Sequence, residues 1–330
     1  MPTARRWTGS IRRSAWIWLM ADPTALLALA LDASLGWPAW LHARAGHPVG
    51  AFARLIKGCD RRWNRPECGS RVRRILGGAT ILLLAGVTTM TACALEAGAR
   101  QLAGPLSPAL VALLAWPGLA QRSLDDHYRP VLAAVRSGDL VDARRTVGMI
   151  VGRDTATLDE VGVARAAIES LAESFCDGVV APLFWFLMLG LPGLWLCKAI
   201  NTADSLIGHK EEPYTAFGAA AAWADDGINL IPARLSALLI CLAGGGGWRV
   251  LWRDHGKHAS PNAGWPEAAM AGVLRVRLAG PAVYDGHTID KPWIGTGGAP
   301  GAASMVRARL IYLRACGLLW ILVGVLAWVL

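Results

Sequence analysis

Arg165, Glu169, Glu173 and Asp177 recur every four residues in a single stretch of the chain. On an α-helix each step of four drifts only about 40° around the axis, so the four would form one ridge. Carboxylates one turn apart repel unless something cationic sits between them. On a soluble helix, a solvated face with Arg165 paired to Glu169 would account for the pattern. Here the ridge ends against the charge-free run 178–197. Carboxylates at a membrane boundary are costly and tend to be functional.

Two further clusters share this chemistry. In KAINTADSLIGHK, 198–210, Asn201, Asp204 and Ser205 fall on one helical turn, with Lys198 one turn before. Their hard oxygens suit Mg²⁺, and Lys198 could meet a phosphate. An N-cap role for Asn201 or Asp204 reads equally well. In WADDGINLIPARL, 223–235, Asp225 and Asp226 precede Asn229 by four and three residues, with Arg234 beyond. This suits either a metal-bound phosphate or acids complementing a helix dipole. Together the three clusters flank one apolar run, each with Lys or Arg nearby. That is an inventory for holding Mg²⁺ and a polyphosphate beside a membrane.

Other signals are weaker. Gly295-Thr296-Gly297-Gly298 lacks the G-x-x-x-x-G-K-[ST] pattern, so it reads as a flexible loop, with Lys291 just before it in reach of an anion. His255 and His258 have no further ligand near them in sequence and read as a loop pair. The seven cysteines are scattered without C-x-x-C, which favours neither a disulfide framework nor zinc. Trp265 and Trp293 read as packing or interfacial residues.

The elements that must position these residues belong to a membrane protein. Only 17% of the 330 residues are charged, below the roughly 25% of a soluble domain. Residues 75–95, 101–121, 178–197 and 315–330 carry no charge, and 227–248 carries only Arg234. About 20 apolar residues span a hydrocarbon core as a helix. The expected fold is therefore all-α: a polytopic integral membrane protein with about four to six apolar segments, folded as one domain over 1–330. Residues 14–43 read as a first span or an interfacial helix, without a cleavable signal. The prolines at 105, 108 and 117 make 101–121 a kinked or short segment. Residues 122–177 read as a polar, amphipathic helical subdomain turning at Gly138-Asp139, and 249–314 as a polar loop region. The net charge of +9 sits in blocks beside the apolar runs, chiefly at 44–74. Such short basic loops face the cytoplasm, and no aromatic-interleaved motif suggests nucleic acid as a partner.

Six ordered motifs carry a resemblance: V-G-R-D-T (151–155), E-S-L-A-E-S-F-C-D-G-V-V-A-P-L-F-W (169–185), K-A-I-N-T-A-D-S-L-I-G-H-K (198–210), D-D-G-I-N-L-I-P-A-R-L (225–235), S-P-N-A-G-W-P-E-A-A-M-A-G (260–272) and D-K-P-W-I-G (290–295). With L-G-W-P (35–38) and G-H-P-V (46–49), they resemble the CobD/CbiB family, the adenosylcobinamide-phosphate synthases of cobalamin biosynthesis, from about Asp32 to Gly295. The resemblance implies ATP-dependent amide ligation at the cell (inner) membrane, with the active site on the cytoplasmic side. Adenosylcobyric acid would be joined to (R)-1-aminopropan-2-ol or its O-phosphate. ATP and Mg²⁺ would be required, and other enzymes of the pathway are candidate partners. Ser174, Ala203, Leu206 and His209 depart from the family's usual A-E-N and N-T-L-D-S-M-x-G-Y. An amide at 174 and a phenol at 209 are then dispensable, if the activity is kept.

On this reading Glu169, Glu173, Asp177, Asp204, Asp225 and Asp226 compete for Mg²⁺, assisted by Asn201 and Asn229. Arg153, Lys198, Lys210, Arg234 and Lys291 would meet phosphates or the substrate carboxylate, with Glu169, Glu173 and Lys198 as the catalytic set and Glu173 the amine's base. A single site cannot use both Asp177 and Lys198 if 178–197 crosses the bilayer. That segment is therefore expected to be a re-entrant hairpin or a broken helix turning at Gly190–Gly193. Two other classes stay open: a Mg²⁺-dependent prenyl or phosphatidyl transferase, whose D-x-x-x-D-like and D-G-x-x-A-R motifs are absent, and a non-catalytic corrinoid-binding or transport protein, for which no internal repeat is found.

Overall fold

Glycine and proline placement decides where this chain's helices stop. The computed structural model describes residues 23–209, 211–284 and 287–329. Lys210 and the segment 14–22 lie outside the described residues. Helix α1 (Thr24–Leu35) and α2 (Ala39–Ala45) meet at 104° across Gly36-Trp37-Pro38, where Gly36 adopts φ 56°. The bend is tied down by Trp116, whose indole N–H donates to the Gly36 carbonyl at 2.9 Å. Helix α3 (Val49–Trp63) is amphipathic, and α4 (Ser70–Ala103) contains the expected span 75–95.

The run 101–121 is short, as its prolines require. Helix α5 (Ser107–Ala115) has nine residues, or about 14 Å, less than half of a hydrocarbon core. Helices α6 (Gln121–Ser137) and α7 (Leu140–Val147) turn at Gly138, which takes the left-handed conformation with φ 75°. The Asp139 carboxylate caps α7 by accepting the Asp142 N–H at 2.9 Å. The Gly138-Asp139 turn is thus as expected.

Helix α8 (Glu160–Phe175) starts at an Asp159 cap and runs through a π-turn, Cys176–Val180, into α9 (Ala181–Ile207). Helix α9 breaks at Gly190, with φ 68° and ψ −155°. In a straight helix, residues 185 and 193 would lie about 12 Å apart along the axis. Here a Cβ on Gly193 would sit 2.3 Å from the Trp185 carbonyl oxygen. The chain folds back on itself, as a hairpin does. Glu96 of α4 accepts the Leu191 N–H at 3.0 Å, so the broken turn is not left unsatisfied at depth.

Helices α10 (Tyr214–Phe217), α11 (Ala219–Gly244), α12 (Trp248–Asp254), α13 (Gly264–Leu274) and α14 (Ala302–Val329) complete the chain. The stretch 249–314 is more ordered than a loop region. It holds α12, α13 and two small antiparallel ladders, β1 (Leu278–Ala279) with β4 (Trp293–Ile294) and β2 (Ala282–Tyr284) with β3 (His287–Ile289). Helix α13 is buried almost throughout, which its apolar sequence WPEAAMAGVL permits. By length and composition, four described stretches suffice to cross a membrane: Ser70–Ser137, Glu160–Ile207, Ala219–Gly244 and Ala302–Trp328, or five with the bent pair α1–α2. This is an all-α polytopic membrane protein.

The main apolar core joins α1, α5, α6, α8, α11, α13 and α14. A second cluster, Ile81, Leu84, Ala199, Ala203, Ile207, Phe217 and Ala221, holds the returning half of α9 against α4, α10 and α11. The hairpin is therefore anchored on both arms.

Candidate active site

The ridge on α8 faces a cavity of about 810 Å³. Arg153, Glu169, Glu173, Asp177 and Lys291 all line it, with Glu267, His258 and the loop residue Gly280. Arg165, the fourth member of the ridge, turns away and lays its guanidinium 4.6 Å over the Trp293 ring. Its expected partner, Glu169, pairs instead with Arg153: Nη2 and Oε2 are 2.5 Å apart, and each side chain is only 12% exposed. The second Glu169 oxygen accepts the Ala279 N–H at 2.7 Å. Glu169 thus fastens the 148–159 turn and the β1 segment to α8.

Asp177 links this cavity to the other two clusters. It lies within electrostatic reach of Glu173, Asp225 and Lys198. Asp225 accepts from the Asn229 side-chain amide at 3.0 Å, and the Asn201 amide is also within reach. Asp204 lies near Asp225 and Asp226. Asp225 Oδ1 and Asn229 Oδ1 are buried without a hydrogen-bond partner among the described residues. Buried orphan oxygens are rare and call for an explanation, which a cation would supply. Because α9 folds back, Lys198, Asn201 and Asp204 return to the same place as Asp177, as the hairpin expectation required.

Arg234 stands apart from the cavity lining. Its guanidinium packs 4.6 Å over the Trp265 ring and donates to the Leu230 carbonyl at 2.6 Å and to Asn262 at 3.4 Å. Asn262 in turn donates to the Asp226 carbonyl at 2.8 Å, so Arg234 braces the third cluster. Gly295 also has a structural task. Its N–H donates to Asp254 at 2.8 Å, and a Cβ on it would lie 2.3 Å from the Val276 carbonyl. Arg253, with Lys257 and this N–H, holds the Asp254 carboxyl well below its ordinary range. The glycine loop is a packed corner, not a flexible segment.

The fold adds two residues that sequence spacing did not reveal. Glu267 on α13 is 3% exposed, and its Oε2 has no hydrogen-bond partner among the described residues. Burial, followed by the neighbouring Glu173 and Glu169 carboxylates, pushes its carboxyl well above the ordinary range. His258 places Nε2 3.8 Å from both Glu173 Oε1 and Glu267 Oε1. Glu267 stands in the quoted 260–272 motif, but its partners lie far away in sequence, so no local spacing marks the trio.

These features define a membrane-embedded protein with an acid-lined, cation-bracketed cavity beside a helix that breaks at Gly190 and folds back. A family model described as CobD/Cbib protein matches residues 25–312. "Cobalamin biosynthesis protein CobD" of Rhodobacter capsulatus is 46% identical over 306 residues, covering 92% of this chain and 96% of that one. Proteins of the same name from a Sinorhizobium species and from Geobacter metallireducens are 47% and 44% identical, covering 88% and 90% of this chain and 93% and 94% of theirs. No solved structure matches. The chain belongs to the CobD/CbiB family.

Proposed function

We propose that the protein joins adenosylcobyric acid to (R)-1-aminopropan-2-ol, or to its O-phosphate, in an ATP-dependent amide ligation of cobalamin biosynthesis. One observation carries the reading beyond family membership: the cavity brings together Arg153, Lys291 and a set of carboxylates, and Asp177 connects them to Lys198 and Asp225. A carboxylate is a poor electrophile, and ATP activates it most simply as an acyl phosphate. The amine then attacks the carbonyl carbon, a C–N bond forms, and phosphate leaves. Positioning and charge neutralisation carry most of the catalysis in phosphoryl transfer.

The residues fit a magnesium ion. Asp177, Asp204, Asp225 and Asp226, with Asn201 and Asn229, supply hard oxygens, and two of these oxygens, Asp225 Oδ1 and Asn229 Oδ1, are buried without a hydrogen-bond partner among the described residues. When bound, the ion would neutralise phosphate charge. Arg153, Lys198 and Lys291 would bind phosphate oxygens or orient the corrinoid carboxylate, and Glu173 would take the amine's proton. Glu169 would hold Arg153 in place. The basic stretch 44–74 and the arginines of 122–165 support a cavity that opens to the cytoplasm, in the inner membrane of the cell.

The test is an assay on detergent-purified protein with adenosylcobyric acid, Mg-ATP and either amine, read by mass spectrometry. An amide product made with one amine only would establish both the reaction and the substrate form. Absence of product with either amine, while an added prenyl diphosphate is consumed with release of diphosphate and without ATP cleavage, would overturn the ligation reading in favour of a transferase.

A further inference from the structure

Glu173, His258 and Glu267 come from three different elements, and their ligand atoms lie within 4.8 Å of one another. Such a group invites a metal. The hydrogen bonding of the imidazole argues otherwise. His258 Nδ1 accepts the backbone N–H of Ser260 at 3.0 Å. A metal-bound histidine instead donates from its second nitrogen. With Nδ1 occupied as an acceptor, the ring proton of the imidazole must sit on Nε2. His258 therefore presents an N–H, not a lone pair, to the gap between the two carboxylates.

The three groups differ in access. The side chains of Glu173, His258 and Glu267 are 38%, 19% and 4% exposed. All three line the cavity, and Glu173 is the most open of them to a substrate. His258 is less exposed, and Glu267 lies deepest, with Oε2 lacking a hydrogen-bond partner among the described residues. The Nε2 distance of 3.8 Å to each carboxylate is long for a hydrogen bond. Catalytic hydrogen bonds are often loose before substrate arrives and tighten in the complex.

We propose that His258 and Glu267 are positioning residues that aim Glu173 at the nucleophilic amine, making the trio the proton-accepting centre of the site. The proposal rests on the ligation reading. The amine reaches the site as an ammonium. Glu173 takes one proton, the freed lone pair attacks the activated carbonyl, the C–N bond forms, and the C–O bond to phosphate breaks. The second nitrogen proton leaves to solvent through the open side of the cavity. His258 donates its Nε2–H to Glu173, fixing the rotamer, and Glu267 closes the back of the pocket.

An amine that is already unprotonated at neutral pH needs no base, so hydroxylamine separates this role from a structural one. Wild-type protein, Mg-ATP and adenosylcobyric acid would be given either aminopropanol (or its phosphate) or hydroxylamine, and amide and hydroxamate measured. Glu173→Gln and His258→Ala should each lower amide formation about 100-fold, the scale of general base catalysis. Hydroxamate formation should stay within about 3-fold of wild type. His258→Gln, whose amide N–H can replace that of the imidazole, should recover most of the amide activity. Equal loss of both products in Glu173→Gln and His258→Ala, or no loss of either, would overturn the assignment alone. A wild type that makes neither product would overturn the ligation reading and this assignment with it.

Discussion

Arg153 and Glu169 meet at 2.5 Å with both side chains nearly buried, and the same carboxylate holds the Ala279 N–H at 2.7 Å. The pair joins the turn before α8 to the β1 segment across the wall of the cavity. Removing one partner of a buried pair strands the other charge and costs about 3 kcal/mol. Glu169→Gln should therefore lower the thermal midpoint in detergent more than the double change Arg153→Met with Glu169→Met. On the ligation reading, both should abolish amide formation. Differential scanning fluorimetry on the three proteins checks the order, and a double variant no better than Glu169→Gln would show that the ion pair is not what matters.

The break at Gly190 predicts sidedness. Cysteines placed at 174 and 206 in an otherwise cysteine-free chain should react with an impermeant maleimide from the same membrane face. Opposite faces would mean that α9 crosses the bilayer. Gly190→Ala should also destabilise the protein by about 1–3 kcal/mol, the cost of holding an alanine at φ 68° and ψ −155°, a conformation open essentially only to glycine. Its Cβ would in addition come within 2.8 Å of Glu96 Oε2. The corresponding change Gly317→Ala, at a glycine inside α14 with open space around it, should not destabilise the protein, since alanine is the better helix former.

Local spacing carried much of this architecture. The four-residue repeat on α8 put Glu169, Glu173 and Asp177 on one cavity wall, and the Gly138-Asp139 pair marked its turn. The requirement that Asp177 and Lys198 share a site led to the hairpin in α9. What spacing could not carry was partnership across the fold. Glu96 sits on α4 in an unremarkable E-A-G-A-R stretch, yet it satisfies the backbone exposed by the hairpin. His258 looked like half of a loop pair because its neighbours, Glu173 and Glu267, arrive from α8 and α13. Arg165 was drawn from Glu169 by Trp293, an aromatic face that only the tertiary fold brings near.

His47 predicts an acid limb in stability. Its ring packs edge-on to Trp37 at 4.8 Å, and Nδ1 accepts the Val49 N–H at 3.2 Å. Burial, then the nearby Lys198 and His42, pulls its pKa down from 6.5 to about 4. Between those values the unfolded chain binds a proton that the folded chain refuses, so acidification favours unfolding. The contribution is fully present above pH 6.5 and is lost as the pH falls to about 4. His47→Asn keeps an acceptor for Val49 but cannot titrate. Melting curves from pH 7 to 4 should fall more steeply for wild type than for this variant, and parallel curves would contradict the assignment.

Lys198 and Asp177 supply the most direct energetic test of the hairpin. They stand on its two sides in sequence, yet Lys198 lies within reach of both Asp177 and Asp225. Lys198→Met leaves those carboxylates facing each other without a cation, so it should destabilise the fold and, on the ligation reading, raise the KM for ATP at least 10-fold. Asp177→Asn in the Lys198→Met background removes one of the repelling charges and should return part of the lost stability. Residues in contact couple by about 0.5–3 kcal/mol, whereas distant ones add within about 0.5. A double-mutant cycle on thermal stability in detergent should therefore give a coupling of about 1 kcal/mol or more between positions 177 and 198. Strict additivity would mean that the returning arm of α9 does not bring Lys198 to Asp177, and the single-site reading would fall with it.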